Sequence, residues 1–164
     1  MKRAFATWTF IVLDAAITPG WAADDAGIER MATCRDSWLD WNKSNPAQLK
    51  KFGDGFRADF SRSGNDPFFV PKKEKRIAGL RVTQAFPDSV GMGVGFSATV
   101  EATFDKARQV FEKSLGKKLG KCEMGDGMRS CELGIADKRT FMLMAEDNSK
   151  STTTLVGCFY YYEK

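Results

Sequence analysis

Positions 90–100, read V-G-M-G-V-G-F-S-A-T-V, alternate with a period of two. Val90, Met92, Val94, Phe96, Ala98 and Val100 share one parity, and Gly91, Gly93, Gly95, Ser97 and Thr99 share the other. That spacing predicts a strand with one apolar face and one face almost bare of side chains. Each glycine inside a strand costs ~0.5–1 kcal/mol relative to alanine, so the bare face requires a compensating contact. An aromatic ring or a second backbone lying over the glycines, or a bulged first half, would provide it. The alternative is a shallow partner-binding groove floored by Gly91, Gly93 and Gly95. Gly93-Val94-Gly95-Phe96-Ser97-Ala98 also matches G-x-G-x-x-A by letter. A dinucleotide site needs a strand before that motif and a helix opening on it. Here the letters lie inside the strand, and no cofactor is expected.

Elsewhere the period lengthens. Ile28, Met31, Cys34, Trp38 and Trp41 recur at three- and four-residue steps, which predicts an amphipathic first helix capped by Asp24 or Asp25. Asn45-Pro46 with Gln48 reads as the start of a second helix, its apolar face Leu49, Phe52 and Phe56 and reaching toward Phe60. Gly53 and Gly55 weaken it. Joined through Ser44-Asn45, the two form a predicted helical hairpin. Residues 61–75 read as an irregular loop pinned by Phe68, Phe69 and Val70. Ile77–Phe86 reads as a strand, turned by Pro87-Asp88-Ser89 into the glycine-faced one.

Thr103–Leu115 is the clearest helix, with Phe104, Ala107, Phe111 and Leu115 on one stripe and Gly116 as its stop. Three further strands are predicted, around Cys131–Ile135, Phe141–Met144 and Leu155–Tyr161. The expected fold class is α+β: the N-terminal helical hairpin, then an antiparallel sheet of about five strands in the order β-β-α-β-β-β. The hairpin is expected on one face of the sheet and the Thr103 helix on the other.

The start of the chain places this domain. Lys2 and Arg3, an apolar run from Ala4 to Leu13, and small residues at Gly20 and Ala22 make the layout of a secretory signal peptide. Cleavage after Ala22 leaves residues 23–164 as a single domain of 142 residues. The leader carries Lys2, Arg3 and Asp14, so the formal charge falls from +4 to +3. Lys72, Lys73, Lys75 and Arg76 form a basic cluster interrupted by Glu74. Without interleaved aromatics it reads as a solvated surface, and no nucleic acid is expected. No later stretch is apolar enough for a transmembrane span. The expected location is periplasmic or secreted.

Four cysteines suit that compartment. Cys122 and Cys131 flank Gly125-Asp126-Gly127, which makes them partners across a hairpin and leaves Cys34 with Cys158. No C-x-x-C is present, so a redox motif and a zinc knuckle both lack their signature.

The chain contains no histidine. That removes Ser-His and Cys-His nucleophile pairs and histidine metal sites; no catalytic or metal-binding residue is assigned. Glu101, Asp105, Glu123, Asp126, Glu132, Asp137, Glu146 and Asp147 are spread over turns and polar faces. The aromatic run Phe159-Tyr160-Tyr161-Tyr162 places Tyr160 and Tyr162 on one face, a second candidate partner surface or a cover for the glycines. Three functions are compatible with this inventory. The first is an exported, noncatalytic binding or accessory module of the cell envelope, with an unknown protein or small ligand. The second is a carboxylate-based hydrolase of glycan or peptidoglycan, which needs two opposed carboxylates. The third is a structural envelope protein without a discrete ligand.

Overall fold

In the computed structural model, the described residues are 25–38, 52–60, 68–90, 93–136, 138–148 and 150–161. They form a mostly β structure, an antiparallel sheet of nine strands with short helices on it. The expected helix-rich α+β fold with a helical hairpin is therefore incorrect. Helix α1 (Asp25–Ala32) buries Ile28, Met31 and Ala32, but it is only eight residues long. Cys34 takes a left-handed φ of 59°. Arg30 closes the turn through two 2.7 Å hydrogen bonds to Asp36. Trp38 is buried beyond that turn, against Phe52 and Phe96. Trp41 and Asn45-Pro46 lie outside the described residues.

The expected second half of the hairpin is a single helical turn at 52–55 followed by strand β1 (Phe56–Asp59). Phe56 and Phe60 are four apart, a spacing that keeps residues on one side of a helix and also on one side of a strand. Pairing with β2 (Phe68–Pro71), inside the stretch expected to be irregular, decides in favour of the strand. The short β3 (Arg76–Ile77) pairs with β4 (Leu80–Val90). Strand β4 runs through Pro87 and Ser89 instead of turning there. Among the described residues β2 registers with it only at Phe69–Ala85, and Pro87 is paired on the β5 side, with Phe96.

The alternating strand is β5 (Gly93–Val100). Phe96, Ala98 and Val100 are fully buried as their parity demands. Helix α2 (Phe104–Leu115) buries Phe104, Ala107 and Phe111, and Gly116 ends it at φ 65°. Strands β6 (Glu123–Gly125) and β7 (Met128–Ala136) meet at Asp126-Gly127, both at positive φ (53° and 72°), the backbone of a tight hairpin. Strands β8 (Arg139–Glu146) and β9 (Thr154–Tyr161) complete the order β1-β2-β4-β5-β9-β8-β7-β6. The last strand in sequence therefore lies centrally, paired along its length with β5 and β8. Its fully buried Val156 and its partners' Phe141, Leu143 and Phe96 suit that place.

Both helices lie on the same face of the sheet, which overturns the expected two-sided cover. Phe141 and Cys158 are direct cross-strand neighbours and so share a face. Phe141 meets Phe111 of α2 with ring centroids 5.4 Å apart, while Cys158 is bonded to Cys34 just past α1. Arg35 Nη2 also donates to the Ser114 carbonyl at 2.9 Å, joining the two helix ends. Thr154 Oγ1, buried, donates to the Ala102 carbonyl and ties β9 to the chain entering α2.

Candidate functional site

Of the five residues singled out as possible partner contacts, Gly93, Gly95 and Tyr160 are among the described residues. Gly91 and Tyr162 lie outside the described residues. Gly93 is registered with Tyr161 and Gly95 with Phe159, whereas Tyr160 is registered with Val94. Alternation then puts Gly95 on the face away from the helices and Tyr160 on the helix-bearing face. Gly95 is buried, and a side chain there would land on the Cys158 carbonyl oxygen, so a neighbouring backbone fills the space. At Gly157, an added Cβ would lie 2.6 Å from Ser97 Cβ and 2.9 Å from Phe159 Cζ. The ring lying at the glycine face is thus that of Phe159. Ser97 Oγ is buried there without a hydrogen-bond partner among the described residues.

On this same face, one row further along, the register aligns Thr99, Leu155, Met144 and Ser130 across four strands. Met128 lies two residues from Ser130. The β8–β9 loop stands beside that row, and the two enclose a cleft of about 540 Å³ lined by Thr99, Met128, Met144 and Leu155, with Glu146 and Lys150 at its polar rim. Asp147 N donates to the Gly127 carbonyl at 2.7 Å, Lys150 N to Asn148 Oδ1 at 3.1 Å, and Ser151 Oγ to the Thr153 carbonyl at 3.1 Å. The cleft therefore offers two thioethers and a leucine below hydroxyl, amide and oppositely charged groups. Such a mixture suits binding, with adaptable apolar contact and few orienting polar groups. Sequence reading missed it because Thr99, Met128, Met144 and Leu155 come from four strands whose order no local pattern announces.

Three of the carboxylates are held in ion pairs or a local turn. Glu101 pairs with Arg81 at 2.7 Å, Asp105 with Arg129 at 3.1 Å, and Glu146 accepts from Asn148. Arg129 also lies over the Phe104 ring, 4.4 Å from its centroid. Among the described residues, no group of three or more Cys, Asp or Glu side chains is arranged to hold a metal ion.

A polar network stands at the end of α2. Glu112 accepts from Lys118 Nζ at 2.8 Å, from Arg108 Nε at 3.0 Å and from Leu119 N at 3.1 Å. The hydrogen bonds from Lys118 and Arg108 lower its carboxyl pKa to about 2 against the opposing effect of desolvation. A carboxyl whose folded pKa is depressed contributes stability above its unfolded value and loses it as pH falls toward the folded one. The expected result is a denaturation midpoint that declines between pH ~4.5 and ~2 more steeply in the native chain than in Glu112→Gln. Added salt weakens the exposed Lys118 contribution first. Superimposable pH profiles for the two chains would contradict this assignment.

The cysteines pair as Cys34–Cys158 and Cys122–Cys131, the pairing favoured by the turn between the latter two. No free cysteine is present among the described residues. No helix among them is long and apolar enough to cross a membrane. Comparison with protein-family models, curated proteins and solved structures gives no match to this chain.

Proposed function

We propose that this chain is an exported, noncatalytic binding or accessory module of the cell envelope, working as residues 23–164 after loss of its leader. The observation that carries the reading is the Cys34–Cys158 bond, buried in the core and joining residues 124 apart. Such a bond forms and persists in an oxidising compartment. The engagement of Glu101, Asp105 and Glu112 by arginines and lysines supports a noncatalytic role over carboxylate-based hydrolysis. The cleft beside the β8–β9 loop supplies the binding surface.

The test has two arms. The chain produced with its own leader should be recovered from the envelope fraction beginning at Ala23 and without free thiols. An intact chain in the cytoplasm with four free thiols overturns the export reading. The mature chain, immobilised and washed with envelope extract, should retain a stoichiometric ligand that Met144→Glu releases. Retention that is unchanged by Met144→Glu removes the cleft from the reading. Turnover of glycan or peptidoglycan by the purified chain overturns the noncatalytic assignment.

A further inference from the structure

The two disulfides occupy different environments. Cys34 and Cys158 are 1% and 3% exposed, beneath α1 and within the central strand. The other bond lies at the margin of the fold. Cys131 is buried on β7, but Cys122 is half-buried, and Gly120, Lys121 and Glu123 around it are exposed. Cys122 is thus the most exposed of the four cysteines, while the core pair is screened by packed side chains.

Arg108 adds a chemical distinction. From α2 its Nη1 donates to Cys122 Sγ at 3.3 Å. Its other nitrogens hold it in place: Nε on Glu112 at 3.0 Å, and Nη2 on the Leu119 and Gly120 carbonyls at 3.2 and 3.4 Å. A guanidinium held beside a sulfur favours the thiolate over the thiol. Other charges near that sulfur are Glu112 and Lys118, joined to Arg108's network, Lys121 and Glu123 as chain neighbours, and Glu132 next to Cys131. Only Arg108 donates a hydrogen bond to the sulfur among the described contacts.

We propose that Cys122–Cys131 is a thiol–disulfide exchange site open to an external dithiol, with Arg108 as its positioning residue, while Cys34–Cys158 stays closed. In the first step a thiolate of the dithiol attacks Cys122 Sγ. A mixed disulfide forms, and Cys131 leaves as a thiolate that takes up a proton. In the second step the remaining thiol of the reagent, deprotonated, attacks its own sulfur in the mixed disulfide. Cys122 leaves as a thiolate facing Arg108. The protein disulfide is reduced to two thiols and the dithiol is oxidised to a disulfide. Reduction releases the covalent link between β7 and the segment leading into β6 and leaves the core tie intact. This inference goes beyond the envelope role and stands on chemistry that purified protein can report.

The test exposes the folded mature chain to reduced dithiothreitol for graded times, traps thiols by alkylation and maps each cysteine. Cys122 and Cys131 should become labelled about tenfold or more faster than Cys34 and Cys158, with native circular dichroism retained. Equal labelling of the two pairs, or earlier labelling of the core pair, overturns the proposal. In Cys131→Ala, alkylation of the single thiol Cys122 should titrate below the ordinary value of ~8.5. Adding Arg108→Met should raise that midpoint, with reactivity falling ~3- to 10-fold at fixed pH below it, and Arg108→Lys should restore part of the difference. A Cys122 midpoint at or above the ordinary value with Arg108 present removes the role given to Arg108.

Discussion

Replacing Cys34 and Cys158 together by alanine should cost about 5 kcal/mol of stability, whereas the same change at Cys122 and Cys131 should cost about 2.7. The difference follows from the chain that each bond closes, with separations of 124 and 9 residues. A longer closed loop removes more freedom from the unfolded chain, and in that account the effect grows with the logarithm of loop length. The structure adds a second reason for the same order. Cys34 follows the left-handed turn after α1, and Cys158 lies on the central strand between Phe96 and Phe141. Cutting this bond detaches α1 from β9 and loosens the face on which Ile28, Met31 and Trp38 are buried. Against a typical total of about 5–15 kcal/mol, the loss should leave much of the chain unfolded under mild conditions. Denaturant titration of the two double variants checks the order. Equal losses, or a larger one for the short loop, would sink the argument.

Gly95→Ala should be the most damaging single-methyl addition in the sheet, with a loss of about 3 kcal/mol or more. The added carbon falls on the carbonyl oxygen of Cys158. Backbone cannot rotate away as a flexible side chain can, so β5 or β9 must shift, and the register from Gly93–Tyr161 to Val100–Thr154 shifts with it. Gly157→Ala should follow closely, since its Cβ would lie 2.7 Å from the Phe96 carbonyl oxygen as well as against Ser97. Gly53→Ala is the internal control. Nothing lies within 4 Å of its Cβ position, and it occupies a helical turn, so it should be neutral or gain up to ~1 kcal/mol. Thermal melts of the three variants suffice. A Gly95→Ala chain as stable as Gly53→Ala would mean that the close approach of β5 and β9 does not constrain this position.

Residue spacing told different amounts about different parts of the fold. The stripe Phe104, Ala107, Phe111 was legible because three- and four-residue steps sustained over two turns fit one geometry and no strand. The period-two run at Val94–Val100 was legible for the complementary reason. Phe52, Phe56 and Phe60 were ambiguous, since a step of four satisfies both periods, and the β1–β2 pairing decided between them. Three- and four-residue steps also extend the α1 stripe through Cys34 to Trp38. The helix stops at Ala32, however, in a turn closed by Arg30 and Asp36, which spacing does not record. The glycine at 95 signalled a close approach in advance, but not whose backbone or ring would fill it, and the close approach at Gly157 had no such signal.

By itself, then, the sequence determined the local elements whose period is unambiguous, the hairpin at Asp126-Gly127 and the cysteines that bracket it. These depend on interactions between residues close along the chain, which spacing and conformational preference record directly. Only the tertiary structure decided that β9 lies between β5 and β8, that both helices share a face, and that Arg108 meets Cys122. Each of those joins parts of the chain that are distant in sequence or separated by a turn of undeclared direction. Their energies depend on which apolar faces find each other, and no window of sequence contains both partners.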